Sequence, residues 1–172
     1  MLKKIIMTTA ATACLVASTA FASDADVLRE ARDRADITQL MWNYCRALDT
    51  FNEDAYAGVY TEDGEFHAGA SIPATKGRVA LKKMVADLKK ARVEREAKGA
   101  PKSPPMHHII TNSYIEFINK DRARYHSYWM TVFEGVGREV APRVAAAGRG
   151  VDEIVRVNGK WLIEKRDVAP KD

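Results

Sequence analysis

The sequence predicts an α+β domain in which helices pack on one side of a mostly antiparallel sheet. Helical periodicity of the apolar residues is confined to the part of the chain before residue 98. After a loop that is rich in Pro and Lys, the apolar pattern instead indicates four strands, joined in pairs by tight turns. Helices that precede antiparallel strands are typical of the α+β class.

The first 22 residues have the pattern of a secretory signal peptide. Lysines at positions 3 and 4 precede an apolar stretch over residues 5–16, and residues 20–22 form an Ala-x-Ala cleavage pattern. We therefore expect cleavage before Ser23, export to the periplasm or medium, and a single domain over residues 23–172. An uncleaved membrane anchor and a lipoprotein modified at Cys14 are the alternatives, although the stretch is short for a membrane span.

Composition and charge exclude several classes of protein. The 172 residues are 47% hydrophobic and 29% charged, which excludes collagen-like, disordered and disulfide-rich chains. Without residues 1–22, 25 basic and 23 acidic side chains remain, so no basic face for nucleic acid is expected. Cys45 is then the only cysteine, which leaves no partner for an intramolecular disulfide or for thiol redox chemistry.

Three helices are predicted in the first half of the chain. Ser23 or Asp24 is suited to cap a helix that runs to about Leu48, because its apolar residues recur at helical spacing. Asn52 is suited to cap a short second helix over residues 53–60. A turn over residues 61–64 and an extended piece over residues 65–68 follow it. A third helix is predicted after Gly77, over about residues 78–97.

Two hairpins are predicted in the second half. Strands over residues 107–118 and 122–134 are joined by a tight turn, and strands over residues 150–157 and 160–168 are joined at Asn158-Gly159. A long connection over residues 135–148 lies between them. The apolar phase of the first strand changes near Thr111–Ser113, which predicts a β-bulge. The second strand is apolar on both faces, which favours a strongly curved sheet with one face lining a pocket.

Two residues stand out as candidates for chemistry. Asp49 ends the first helix, where a carboxylate meets the negative end of the helix dipole and costs stability unless it has a role. A solvated Asp that opens a turn is the alternative. His107 and His108 stand where the loop becomes a strand, and only one of two adjacent strand residues points to a given face.

No motif for a metal, a nucleotide or a catalytic serine is present. The chain lacks H-x-H, H-E-x-x-H and G-x-S-x-G patterns, a P-loop and a dinucleotide fingerprint. A metal site built from His67, His107, His126 and an acid is the alternative, and we expect none. An Asp–His pair nevertheless forms a base, in which Asp fixes the tautomer of the imidazole. Tyr hydroxyls can stabilise a developing negative charge on a substrate oxygen.

The order of several segments resembles the SnoaL-like branch of the NTF2-like superfamily, and among its members scytalone dehydratase, bile-acid 7α-dehydratase and hexachlorocyclohexane dehydrochlorinase. The resembling stretches span nearly the whole mature chain and are Arg34–Ile37, Tyr44–Asp49, Tyr60–Phe66, Lys76–Arg78, His108–Asn112 and Gly159–Ile163. The resemblance implies a cone-shaped barrel with three N-terminal helices packed on a strongly curved, mostly antiparallel sheet. It also implies that no cofactor is needed and that the protein forms a homo-oligomer, a trimer or a dimer.

The resemblance also implies roles for individual residues. Asp49 and His108 match the catalytic pair of these enzymes, and Tyr44 matches a Tyr five residues before the Asp. Either Tyr56 or Tyr60 matches the Tyr of the second helix, and the sequence does not choose between them. The residues expected to bind the substrate are Tyr56, Tyr60, His126, Asn112 and Arg166.

The leading hypothesis is a cofactor-independent lyase, of the dehydratase type or a related isomerase, that acts on a small apolar cyclic or aromatic compound. His108, oriented by Asp49, removes a proton from carbon while Tyr44 assists the oxygen. One alternative is a periplasmic module that binds a small molecule without catalysis. Another is an oligomeric interaction module whose cavity is filled by its own aromatic side chains, Trp129, Phe133 and Trp161. No nucleic acid or membrane partner is expected after cleavage of the leader.

Overall fold

The computed structural model describes residues 23–137 and 140–171. The predicted signal peptide over residues 1–22 lies outside these residues, so its role stays a prediction. Among the described residues, no helix is both long enough and apolar enough to cross a membrane.

Three helices form within residues 23–97, as the sequence predicts. α1 covers Asp24–Asp49, and the Ser23 side chain caps it by accepting a hydrogen bond from the backbone N–H of Asp26. α3 covers Arg78–Ala97 and starts after Gly77, whose φ of 79° favours glycine.

The second helix is shorter than predicted. α2 covers Glu53–Gly58 with Asn52 as its cap, so the expectation of a helix as far as Tyr60 is wrong. Beyond Gly58 the backbone pairs with the sheet instead, since the carbonyl of Val59 accepts a hydrogen bond of 2.9 Å from Ile163 N–H. This tertiary pairing outweighs the weak helix preference of a short segment.

In the described part of the chain, six strands form one open sheet in the order β2-β1-β6-β5-β4-β3. The pairing of β1 with β6 is parallel and the other pairings are antiparallel, so the sheet is mixed, with β2 and β3 at its edges. The strands are β1 Tyr60–His67, β2 Thr75–Lys76, β3 Met106–Asn119, β4 Arg122–Phe133, β5 Arg143–Val157 and β6 Lys160–Asp167.

Two strands differ from the prediction. β1 begins at Tyr60 and runs through the predicted turn at residues 61–64, with a register irregularity between Tyr60 and Glu65. β5 begins at Arg143, so the last six residues of the predicted connection over residues 135–148 are strand. The start of β5 contains three alanines and a glycine, which have low strand propensity, and pairing with β4 orders it.

The predicted β-bulge in β3 is confirmed. The register with β4 shifts between Thr111 and Tyr114, and Asn112 has a φ of 50°. The extra residue changes which side chains face the helices, so that His108 and Ile110 point inward before the bulge and Ile115 points inward after it. The bulge thus lets one long edge strand serve both the cavity and the core.

The helices pack on one face of the sheet, and the core lies between the helices and that face. Its buried members come mainly from one side of α1 and from the inward faces of the strands, and they include Ile37, Leu40, Met41, Tyr56, Tyr60, Leu81, Val85, Ile154 and Ile163. Burial of such side chains contributes about 25 cal/mol for each Å² of apolar surface removed from water. The core does not fill one end of this layer, and the cavity described below lies there.

Candidate active site

Asp49 and His108 meet where the end of α1 lies against the start of β3. Asp49 Oδ1 accepts a hydrogen bond of 2.7 Å from His108 Nδ1 and one of 2.9 Å from the His108 backbone N–H. The two side chains retain only 7% and 19% of their exposure, respectively. A carboxylate that binds both the ring and the backbone of one histidine fixes the position and the rotation of the imidazole.

This contact also selects the tautomer of His108. A carboxylate oxygen accepts hydrogen bonds, so the neutral ring places its proton on Nδ1 and leaves the lone pair on Nε2. A base needs such a lone pair, held beside the proton that it removes. Because His108 also lines a cavity, the arrangement is able to take a proton from a bound molecule.

The cavity has a volume of about 250 Å³ and lies between the helices and the inward face of the sheet. Most of its wall is apolar, and its polar groups come from Tyr44, Tyr56, His108, Thr131 and Arg166. The apolar part of the wall consists of Leu48, Phe66, Met84, Leu88, Ile110, Trp129, Ala146 and Val168. A small, largely apolar molecule with one or two oxygens suits such a cavity.

Trp129 owes its position in this wall to a glycine. A Cβ atom at Gly148 would lie 2.9 Å from the Trp129 ring, closer than real Cβ contacts allow. Gly148 pairs with Trp129 across β4 and β5, and Trp129 Nε1 donates to the carbonyl of Val168 at 3.0 Å. The indole therefore packs closely over Gly148 and lines the cavity without filling it, which differs from the alternative in which aromatic side chains fill the cavity.

Three tyrosines form a buried cluster at the end of the cavity. Tyr44 and Tyr56 line it, with ring centroids 5.4 Å apart. Tyr60 lies behind them, and its hydroxyl is 3.1 Å from that of Tyr56. Burial raises the pKa of each of the three phenols, well above the ordinary value for Tyr56 and Tyr60. The phenols are therefore neutral near pH 7 and are able to donate hydrogen bonds.

Arg166 supplies the charge in this wall, and its guanidinium is paired with the buried carboxylate of Asp152. It is 2% exposed, and Asp152 on the neighbouring strand β5 is 0% exposed. Arg166 Nη1 donates to Asp152 Oδ2, and the guanidinium carbon lies 4.2 Å from the centroid of the Tyr44 ring. Burial raises the pKa of Asp152 to about 6, so near pH 7 the carboxylate is ionised. Although burial opposes its charge, the neighbouring carboxylate raises the pKa of Arg166 further and keeps it protonated.

The structure brings together six of the eight residues singled out in the sequence. Tyr44, Tyr56, His108 and Arg166 line the cavity, and Asp49 and Tyr60 each contact one of them directly. Of the two second-helix tyrosines, Tyr56 is the one in the wall. Tyr60 stands one layer behind it, as the first residue of β1.

His126 and Asn112 lie elsewhere, which corrects their expected place in the pocket. His126 is on the outward face of β4, 3.4 Å from a carboxylate oxygen of Glu116 and beside the Tyr114 ring. Strand alternation explains this, because Trp129 points inward and residues an odd number away point outward. Asn112 is exposed in the bulge, where its side chain accepts a hydrogen bond from Thr111. Neither side chain lines the cavity.

Asp152 is the functional candidate that the sequence analysis missed. It stands in the apolar run of β5, where it shares the inward face with the fully buried Ile154. An acid at an inward position of a strand is a signal that period-two alternation can reveal. To use this signal, one must know which residues of the strand point inward, and the apolar alternation over residues 150–157 of the sequence supplies that information.

The described residues hold no group of three His, Cys, Asp or Glu side chains placed to bind a metal ion. The histidines of the alternative metal site each contact a separate acid. His67 is 2.7 Å from Glu65 and His107 is 2.6 Å from Glu134, while His126 lies near Glu116. They do not share one site.

The SnoaL-like domain model matches residues 29–167, which run from within α1 to the end of β6. The chain belongs to the SnoaL-like family. The comparison with curated proteins finds no match.

Solved structures similar to this SnoaL-like chain support the same fold. An NTF2-like protein with a cystatin-like fold from Novosphingobium aromaticivorans is 19% identical, with a TM-score of 0.68 over 86% of this chain and 88% of that one. A candidate scytalone dehydratase from the same organism is 21% identical, with a TM-score of 0.63 over 82% and 85%. ActVI-ORFA from Streptomyces coelicolor is 22% identical, with a TM-score of 0.64 over 79% and 95%. At these identities the likeness concerns the fold.

Proposed function

We propose that this protein is a cofactor-independent lyase, of the dehydratase type or a related isomerase, that acts on a small apolar cyclic or aromatic compound. The observation that carries the proposal is the 2.7 Å contact of His108 Nδ1 with Asp49, at the wall of a largely apolar cavity. Membership of the SnoaL-like family and the neighbour described as a candidate scytalone dehydratase support the choice of dehydration.

The proposed elimination begins at His108. Nε2 takes the proton from a carbon next to the carbonyl of the substrate, and the electron pair of that C–H bond becomes the new C=C bond. The C–O bond at the neighbouring carbon breaks, and the departing hydroxide takes the proton back from His108 Nε2 and leaves as water, which restores the neutral imidazole. Asp49 stabilises the imidazolium that forms, and the Tyr44 hydroxyl donates a hydrogen bond to the oxygen that gains negative charge. Isomerisation uses the same first step and returns the proton to another carbon.

The proposal is tested with the protein dialysed against a chelator. Cyclic and aromatic β-hydroxy ketones are offered as substrates, and the new conjugated double bond is followed by its absorbance. We expect turnover without any added metal or nucleotide. A strict requirement for either would contradict the proposal. Ligands that bind and are recovered unchanged across the panel would favour the alternative, a protein that binds without catalysis.

We propose that the protein forms a homo-oligomer, a trimer or a dimer, through the outward face of its sheet. That face exposes the apolar side chains of Ile109, Tyr114 and Tyr128 on the adjacent strands β3 and β4. Clustered apolar side chains on a sheet are typical of a protein interface. In sedimentation velocity we expect a dimer or trimer that Tyr128→Lys dissociates, whereas Lys90→Glu on exposed α3 leaves it intact. A monomeric wild type would contradict the proposal.

We also propose that the protein is exported with cleavage before Ser23. The support is the sequence pattern of residues 1–22 together with the position of Ser23 as the cap of α1, which leaves a folded domain free to begin there. Expression of the full chain in a bacterium should give a periplasmic or secreted product whose amino-terminal residue, determined by Edman sequencing, is Ser23. A cytoplasmic product that keeps Met1 would contradict this.

A further inference from the structure

A layer of buried polar side chains lies behind the Arg166 end of the cavity, and it is not fully satisfied. Within the described part of the chain, Ser127 Oγ, Asp152 Oδ1 and Arg166 Nε are buried without a hydrogen-bond partner. Buried polar atoms are nearly always paired, so three unpaired atoms mark an unusual polar layer next to the cavity wall. Arg166 is the member of this layer that lines the cavity.

The groups around the cavity carry more negative than positive charge. Arg166 is the cation in the lining, and Asp152, fully buried, pairs with it directly. Asp49 adds a second carboxylate behind His108 on the opposite wall. Because charges interact strongly in a site with little water, an anionic ligand would meet two carboxylates and one guanidinium that is already paired. A neutral ligand meets no such repulsion.

We infer that Asp152 is a specificity-determining residue, which cancels the charge of Arg166 and so restricts the polar group bound there to a neutral oxygen acceptor. A ketone, phenol or alcohol oxygen accepts a hydrogen bond at this wall without adding charge, whereas a carboxylate or phosphate is rejected. The inference rests on the proposed function only in that the substrate occupies this cavity. The inference is that the substrate group bound at the Arg166 end of the cavity is uncharged.

The test compares two ligands of nearly the same shape, 2-acetylnaphthalene and 2-naphthoate. The carbonyl carbon carries a methyl group in the first and a charged oxygen in the second. Binding to the wild-type protein is measured by titration calorimetry near pH 7.5. We expect the ketone to bind at least tenfold more tightly, which corresponds to about 1.4 kcal/mol. In Asp152→Asn the unpaired guanidinium attracts anions, so this ratio should move at least tenfold toward the carboxylate.

Glu153→Gln is the matched control. It removes the same charge from the next residue of β5, whose side chain is on the other face and partly exposed. This variant should keep the wild-type ratio. Should Asp152→Asn not fold, Arg166→Gln replaces it, because loss of the Arg166 charge, the cation among the described lining residues, should widen the preference for the ketone over the carboxylate.

Several outcomes would overturn the inference. A wild type that binds the carboxylate as tightly as the ketone, a ratio in Asp152→Asn within threefold of the wild-type value, or no binding of either ligand would each do so. A different result would contradict the proposed function. A His108→Ala variant with unchanged turnover would contradict the lyase proposal and leave the ligand ratio as it is, because the ratio depends on Asp152 and Arg166.

Discussion

Replacement of His108 by alanine should lower turnover about 100- to 10,000-fold, the contribution that a general base makes to catalysis. The loss should appear in kcat more than in KM, because the apolar wall that binds the substrate is unchanged. The measurement is steady-state kinetics on the substrate found in the chelator-treated assay, with circular dichroism to verify the fold.

Replacement of Asp49 by asparagine should also lower turnover. An amide has the shape of the carboxylate, but it cannot stabilise the imidazolium, and its NH₂ group favours the His108 tautomer with the proton on Nε2. His107→Gln is the matched control, since His107 points to the outer face and contacts Glu134 at 2.6 Å. Full activity in either His108→Ala or Asp49→Asn, or an equal loss in His107→Gln, would contradict the assigned roles.

Asp152→Ala should lower the free energy of unfolding by about 3–5 kcal/mol, because it leaves the guanidinium of Arg166 buried without a counter-charge. The structure offers few substitutions with a larger expected cost. Urea unfolding followed by tryptophan fluorescence measures the effect. Glu153→Ala, on the neighbouring, partly exposed position, should change the free energy of unfolding by less than about 1 kcal/mol.

The double variant Asp152→Ala/Arg166→Met separates loss of the charge pair from loss of packing. Removal of both charges should recover most of the stability lost in Asp152→Ala, since an apolar side chain of similar length needs no counter-charge. A single variant within about 1 kcal/mol of the wild type, or a double variant less stable than the single, would show that the pair does not hold this part of the sheet together.

The helices and hairpins were predictable from the sequence because their signals are local. Ser23 and Asn52 cap the helices in which the sequence places them, and Asn158-Gly159 joins the last two strands. The contact of Asp49 with His108 spans 59 residues, and it followed from a family resemblance together with the unfavourable place of Asp49 at a helix end. Neither the resemblance nor the helix-end position alone specified the distance between the Asp49 and His108 side chains.

The elements that the sequence did not predict depend on long-range pairing. β2 has two residues and exists only because it pairs with β1. The early start of β5 likewise depends on β4 rather than on its own alanines. His126 and Asn112 were misplaced because the bulge and the strand phase decide which way a side chain points, and one residue of error reverses the direction.

Solvent deuterium exchange tests the central claim most directly, that His108 takes a proton from carbon. The substrate or an unreactive ketone analogue is incubated with the protein in D₂O, and incorporation at the carbon next to the carbonyl is followed by NMR. We expect incorporation with the wild type and with His107→Gln, and a rate at least about 100-fold lower with His108→Ala. Equal rates in the wild type and His108→Ala would contradict the claim.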